Sequence, residues 1–406
     1  MKLEKNFNVE NLNIILEKQE KLHHIRDVNT LLDSILFETR SLTNSDAGSI
    51  FLVENGKLKF SYVQNDTLFK NDFLSNKYIY SNRELDINEK SVAGYVASTG
   101  KSVLIDDCYK IDKNLPYEFN SNFDEMSSYK TESMLIVPLK TSKNDLVGVL
   151  ELINRKDEKR KNIPFSEEQK FFISQFAFYA GIAIERALLL RDVVFKMVRT
   201  TELRDQEETQ PHVNRVSSYA VELYQKWAEK HKVPKNEVNS FKDIFKIATM
   251  LHDIGKVGIS DVILKKRHSL TAEEFDIVKR HTVYGAQFFE NPHSEWDTLA
   301  YEIALNHHEK WDGAGYPGYI EDIHDPNIKF GKGKKGLAIP LSARIVAIAD
   351  VYDALLCRRV YKDPWEEEKV LDYIRAESGK QFDPELIAIF FEIYDIIKAI
   401  RNKWEN

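Results

Sequence analysis

Cysteine is almost absent: 406 residues hold two, Cys108 and Cys357, far apart and in no metal-type spacing. That excludes a disulfide scaffold and a cysteine-based zinc site, and it fits a reducing, cytoplasmic setting. Positive charge is not in excess either. With 57 Lys+Arg against 64 Asp+Glu the net charge is −7, whereas a general nucleic-acid binder carries a basic surface. No nucleic-acid polymer is expected as a partner; a small anionic ligand remains compatible with locally positive charge. The opening Met1-Lys2-Leu3-Glu4-Lys5-Asn6 lacks the apolar core of a signal peptide. No window approaches the roughly 20 apolar residues of a membrane span, so no membrane association is expected. What remains is a composition of soluble globular type, 43% hydrophobic and 30% charged, long enough for two domains with their own cores.

The pattern changes along the chain. Residues 1–28 are polar with Leu12, Ile14, Ile15, Leu16 and Leu22 interspersed, which predicts a short amphipathic helix for packing or dimerisation. Residues 29–165 read as a mixed α/β domain. Leu31, Leu32, Ile35 and Leu36 recur at helical spacing, and strand-like runs follow at 48–53, 58–63, 103–105, 133–139 and 146–153. Asn55-Gly56 and Asn144-Asp145 supply hairpin turns. From 166 to 204 there is no proline, and the only glycine is Gly181. Apolar residues at Phe172, Phe176, Ala180, Ala183, Ala187, Leu190 and Val194, three and four apart, predict one long connecting helix of about 60 Å with a coiled-coil-like seam. Such a seam must pack on both domains or pair in a parallel homodimer, and the dimer is the preferred expectation. Residues 205–406 read as helical throughout. The fold class is therefore α+β: a mixed N-terminal domain, a long helix and an all-α C-terminal domain.

The helical half concentrates metal-ligand chemistry. Glu208 and His212 come first, then His252-Asp253, His281, the adjacent pair His307-His308, and Asp350 inside an apolar helix. Five of the eleven histidines fall in this set. A carboxylate at Asp350 is costly to bury without a cation or strong donors. Imidazoles and carboxylates without thiolates suit iron, manganese and similar divalent ions. Eight ligands exceed the needs of one ion and fit two or three. Neighbouring residues on a helix point about 100° apart, so the adjacent histidines are expected to serve two different ions. Metal-assisted phosphodiester hydrolysis is the chemistry that follows.

Two stretches sharpen this. Residues 29–190 resemble a GAF domain through Asp46-Ala47-Gly48-Ser49-Ile50-Phe51-Leu52, the run Ser91–Lys101, Ser133–Leu139 and Gly148-Val149-Leu150-Glu151-Leu152. The resemblance implies a sensor of an unidentified small ligand. Cyclic-nucleotide-binding members carry an acidic pair where this chain has Gln169-Lys170. Residues 200–400 resemble the HD-GYP family of HD phosphohydrolases through His252-Asp253-Ile254-Gly255-Lys256 and the segment His307–Pro317 with Gly315-Tyr316-Pro317. The resemblance implies a two- or three-metal centre, commonly iron, that hydrolyses cyclic di-GMP to linear pGpG or on to GMP. By motif position Glu208, His212, His252, Asp253, His281, His307, His308 and Asp350 would be ligands. Asp253 and Lys256 would be the catalytic groups. Tyr316, Arg359 and Lys362 would meet substrate, and Arg215 would reach substrate or pair with an acid. A lysine-rich insertion at 320–336 departs from the family and is expected to be a solvated loop. The competing expectation is a receptor that binds cyclic dinucleotide without turnover and signals through protein partners.

Overall fold

The computed structural model describes residues 17–18, 20–22, 25–68, 84–205, 209–266, 268–292, 294–325, 327–357 and 364–404. Most of the helix expected over 1–28 lies outside these residues, as do Glu208, Arg359 and Lys362. The chain forms two compact units, residues 1–189 and 190–406.

The first unit is built on a six-stranded antiparallel sheet. Its strands are β1 (Ser45–Glu54), β2 (Lys57–Asn65), β3 (Glu84–Asp86), β4 (Val103–Ile105), β5 (Met134–Lys140) and β6 (Leu146–Arg155), in the order β3-β2-β1-β6-β5-β4. Asn55 and Gly56 take φ of 50° and 77°. Two positive values in a row are what a two-residue hairpin loop needs to match strand twist, and Glu54 pairs with Lys57 across it. Strand alternation splits the sheet into two apolar faces. Ile50, Leu52, Leu135, Val137, Leu150 and Leu152 pack with Leu31, Leu32, Ile35 and Leu36 of α1 (Val28–Thr43). Phe51, Met134, Ile136 and Val149 pack on the other side with Val92, Ala93 and Val96 of α2 (Val92–Thr99). A short α3 (Asn122–Ser127) lies between β4 and β5 in sequence.

The long helix is α4, Glu167–Glu202. Ile173, Phe176, Ala177, Ala180, Ala183, Ile184 and Ala187 belong to the sheet's helix-side core. Val194 and Val198 belong to the core of the second unit. The expected seam is thus spent on the chain's own cores rather than held open for a partner helix. By length and composition alone α4 is apolar enough to cross a membrane. That corrects the expectation that no stretch approaches a span: the core-facing stripe and a second, outward stripe of Phe171, Phe178 and Leu189 together leave few charges between them.

The second unit holds α5 (Gln210–Lys230), α6 (Lys235–Thr249), α7 (Asp261–Leu264), α8 (Ala272–Lys279), α9 (His281–Phe288), α10 (Glu295–Asn306), α11 (Leu341–Leu356), α12 (Glu367–Ala376), α13 (Pro384–Glu392) and α14 (Tyr394–Trp404). Val216, Tyr219, Ala220 and Leu223 of α5, Phe245 and Ala248 of α6, and Ile345, Val346, Ile348, Ala349 and Tyr352 of α11 form its centre.

Candidate metal centre

Helix ends bring the ligand-type side chains together. Thr209 caps α5 by accepting from the His212 amide at 3.3 Å, which fixes His212 in the first turn. α6 stops at Thr249, and His252-Asp253 follow in the turn before a short 3-10 helix, Ile254–Gly258. Gly255 lets that turn press against α9. A Cβ there would lie 1.9 Å from the His281 carbonyl oxygen and 2.3 Å from the Gly285 nitrogen, so only glycine fits. α10 delivers His307 and His308 at its C-terminus, and Asp350 comes from the middle of α11.

The result is two adjacent groups. Asp253, His281, His307 and His308 form one; His212, His252 and Asp350 form the other. In each group one ligand atom per residue lies within 4.8 Å of all the others. Asp253 faces both: one carboxylate oxygen is 3.0 Å from His281 Nε2 and 3.3 Å from His307 Nε2, and the other is 3.5 Å from His252 Nε2. Asp350 lies 3.6 Å from His212 Nε2 and 3.9 Å from His252 Nε2. Seven of the eight expected ligands are therefore assembled, the eighth, Glu208, lying outside the described residues. The adjacent histidines differ from expectation, because both fall in the same group. His307, the C-cap, keeps helical backbone angles and donates to the Ile303 carbonyl, yet the two rings end 4.1 Å apart and both lie beside His281, so divergence of neighbouring side chains does not by itself separate them.

The donor chemistry fits cations. His252, His281 and His307 each direct Nδ1 at a backbone carbonyl, that of Thr249 (2.9 Å), Val278 (2.7 Å) and Ile303 (3.0 Å) respectively. A carbonyl can only accept, so Nδ1 carries the proton and Nε2 presents a lone pair. The Nε2 atoms of His281 and His307 then face each other at 3.5 Å, which is unfavourable without positive charge between them. His252 Nε2 is buried with no hydrogen-bond partner among the described residues. Burial, reinforced by His307 and His281, holds His308 well below the ordinary imidazole range, and burial lowers His307 too. Burial works to raise Asp253, but Lys256, His252 and His281 outweigh it and keep the carboxyl well below its usual value. Neutral imidazoles around an ionised carboxylate are what divalent ions take as ligands.

A second layer of residues orients these groups; the sequence reading named Arg215 and Lys256 in it but missed Asp353, Glu309 and Asp205. Asp353, almost wholly buried, accepts from His212 Nδ1 at 2.8 Å and from Arg215 at 2.7 and 2.8 Å. Burial opposes its charge, yet the bonds from Arg215 and His212 bring it down to about 2. Arg215 is thus engaged with an acid. The available signal was Asp353 lying one helical turn beyond Asp350. Lys256 Nζ sits 2.9 Å from Asp253 and 2.8 Å from Asp205. Glu309, also buried, accepts from the amides of Gly318 (2.6 Å) and Lys334 (3.0 Å). It ties the loop after the histidines to the insertion, and burial raises its carboxyl above the ordinary range.

The insertion is not a free loop among the described residues. Ile320, Ile323, Ile328 and Phe330 pack with Val283, Ala286 and Leu305 in a small core of their own. Gly331 donates to the Pro317 carbonyl at 3.0 Å and Tyr319 to the Lys332 carbonyl at 3.2 Å. The segment before it is fastened elsewhere: Trp311 and Asp312 donate to the carbonyls of Gln381 (3.1 Å) and Lys380 (2.8 Å). Held from both sides, Tyr316 stacks on the His308 ring at 4.9 Å and 27°.

The GAF profile matches residues 27–184, and two HD domain profiles match residues 211–355 and 329–386. The chain joins a GAF domain to an HD domain. His252-Asp253 and the Gly315-Tyr316-Pro317 loop lie within the matched HD segments and come together around His308. Among relatives, the "3'3'-cGAMP-specific phosphodiesterase 2" of Vibrio cholerae is 35% identical over 243 residues, covering 58% of this chain and 42% of that protein. A "Probable cyclic di-GMP phosphodiesterase" of the same organism is 41% identical over 204 residues, covering 49% and 43%. The "Cyclic di-GMP phosphodiesterase" of Thermotoga maritima is 43% identical over 146 residues, covering 36% of each. The chain spans less than half the length of each of these relatives.

Proposed function

We propose that this GAF–HD protein is a phosphodiesterase of cyclic dinucleotides, cyclic di-GMP first among them, releasing linear pGpG or GMP. The observation that supports it most is the pair of ligand groups sharing Asp253, set beside the Tyr316 loop. Two divalent ions held there, iron or manganese by donor type, with Glu208 available for a third, would supply Lewis-acid polarisation and water activation. The protein's own groups do the rest. Asp253, His281, His307 and His308 hold one side of the centre, and His212, His252 and Asp350 the other. Lys256 places an ammonium beside Asp253, where it can offset the charge of a phosphate. Tyr316 walls the site next to His308 and excludes water from that side. Arg359 and Lys362 are assigned to the dinucleotide by their motif positions.

The GAF domain is read as a regulator with its own small ligand, acting within a homodimer. The support for the dimer is the outer face of α4. Phe171, Phe178 and Leu189 are 45%, 46% and 61% exposed, and at 100° per residue they fall within about 20° of one another. That apolar stripe is separate from the stripe buried in the cores.

Anaerobic metal analysis with chromatography of the products tests the assignment. Two or more ions per chain and a linear dinucleotide or GMP are expected, with metal lost in His308→Ala and Asp253→Ala. Tight binding of cyclic di-GMP by the loaded protein without product would replace the enzyme by a receptor. Unchanged metal and rate in both variants would sink the site assignment.

A further inference from the structure

Beyond the ligands, α8 ends at the rim of the centre, two residues before His281. Phe275 and Lys279 lie four apart on it and so share a face. Lys279 Nζ is 5.0 Å from the centroid of the Phe275 ring, 5.7 Å from Tyr316 and 5.9 Å from Phe330. The rings also touch one another. Phe275 meets Tyr316 edge-on at 6.3 Å and 82°, and Tyr316 lies 6.5 Å from Phe330. Since Tyr316 stacks on His308, this aromatic surface continues the metal centre outward. Phe275 remains 45% exposed at its far end. Among the described residues the carboxylate that Lys279 meets is Asp276, 2.6 Å away and one turn back on the same helix; Asp276 is exposed, and pairs of this kind contribute little.

Three rings around an ammonium are ordinarily a device for binding cations. Here the cation is the chain's own. What the cluster presents to a ligand is a set of aromatic faces and an N–H donor, at one end of a site built for a phosphodiester. We propose that Phe275, Lys279 and Phe330 form a guanine subsite for one base of the cyclic dinucleotide, a proposal that rests on the phosphodiesterase reading. Any base stacks on an aromatic face. Lys279 selects among them, because guanine offers the O6 and N7 acceptors, whereas adenine places an amino donor where O6 would be. The ammonium also suits the anionic charge of the ligand. Phe330 comes from the insertion, so the segment that departs from the family pattern supplies one wall of the subsite.

Steady-state kinetics of the metal-loaded full chain test this with three substrates: cyclic di-GMP, cyclic di-AMP and bis(p-nitrophenyl) phosphate, which has no base. Phe275→Ala is expected to raise KM for cyclic di-GMP about tenfold, with a much smaller change on the baseless diester and kcat nearly kept. Phe275→Tyr, which retains a ring, restores most of the loss. Lys279→Met is expected to narrow the preference for cyclic di-GMP over cyclic di-AMP about tenfold. Calorimetric binding of cyclic di-GMP weakens in parallel. Equal losses on all three substrates, or an unchanged KM and preference, overturn the subsite while leaving the enzyme reading in place. Wild-type protein that cleaves the baseless diester but no cyclic dinucleotide overturns the cyclic-dinucleotide reading, and the subsite with it.

Discussion

Lys256 and Asp205 meet at 2.8 Å, three residues beyond the end of α4. The pair is largely shielded, with side chains 14% and 12% exposed, and the same ammonium reaches Asp253. A residue at the end of the long helix therefore helps to place a charge at the metal centre. Asp205→Ala is expected to lower kcat several-fold while leaving metal content unchanged, and Lys256→Ala to lower it further. Metal analysis beside turnover checks this. If Asp205→Ala strips metal, the residue supports the ligands rather than the lysine.

Asp353 carries a second expectation. It fixes the tautomer of His212 and neutralises Arg215 in a buried position. Asp353→Ala leaves an uncompensated guanidinium, at a cost of about 3–5 kcal/mol, and it frees the His212 ring, with metal affinity expected to fall about 10–100-fold. Urea titration and competition with a chelator measure the two effects. Tryptophan fluorescence suits the first, since all five tryptophans, from Trp227 to Trp404, lie in the helical half.

Glu151 on β6 gives the GAF domain a pH signature. Burial pushes its carboxyl up to about 7, and the Ser49 hydroxyl at 2.8 Å offsets only part of this. In the unfolded chain the group ionises near 4.3. Between those values the folded state binds more protons than the unfolded state, so stability falls as pH rises from about 4.3 to 7 and then levels. Hydrogen exchange of β1 and β6 amides is expected to show this loss, on the order of a few kcal/mol. Glu151→Gln flattens it; a variant with the same pH profile as wild type would assign the effect to another group.

The outer stripe of α4 predicts association. Phe178→Glu together with Leu189→Glu is expected to convert a dimer into a monomer by sedimentation, with the helix content kept because neither residue is in a core. A wild-type chain that sediments as a monomer at micromolar concentration would remove the dimer from the scheme.

Much of this was legible in the sequence for a physical reason. Asn55-Gly56 can hardly be anything but a tight turn, and an Asp inside the apolar run of α11 demands compensation wherever the helix packs. What could not be read was where side chains converge in space. The separate assignment of His307 and His308 took the angle between neighbouring side chains as decisive, whereas both rings lean towards His281. Asp353 and Glu309 looked like ordinary acids because their partners, His212 and the Gly318 amide, are set by tertiary contact. The insertion looked solvated because Ile320, Ile323, Ile328 and Phe330 follow no period; their common core exists only once Val283 and Leu305 are beside them.

The fastening of Trp311 and Asp312 to Gln381 and Lys380 also sets a limit on truncation. The candidate ligands from His212 to Asp350 all precede the residues that close the loop behind the paired histidines. A chain cut before residue 380 would keep every one of those side chains and lose the contacts that hold that loop.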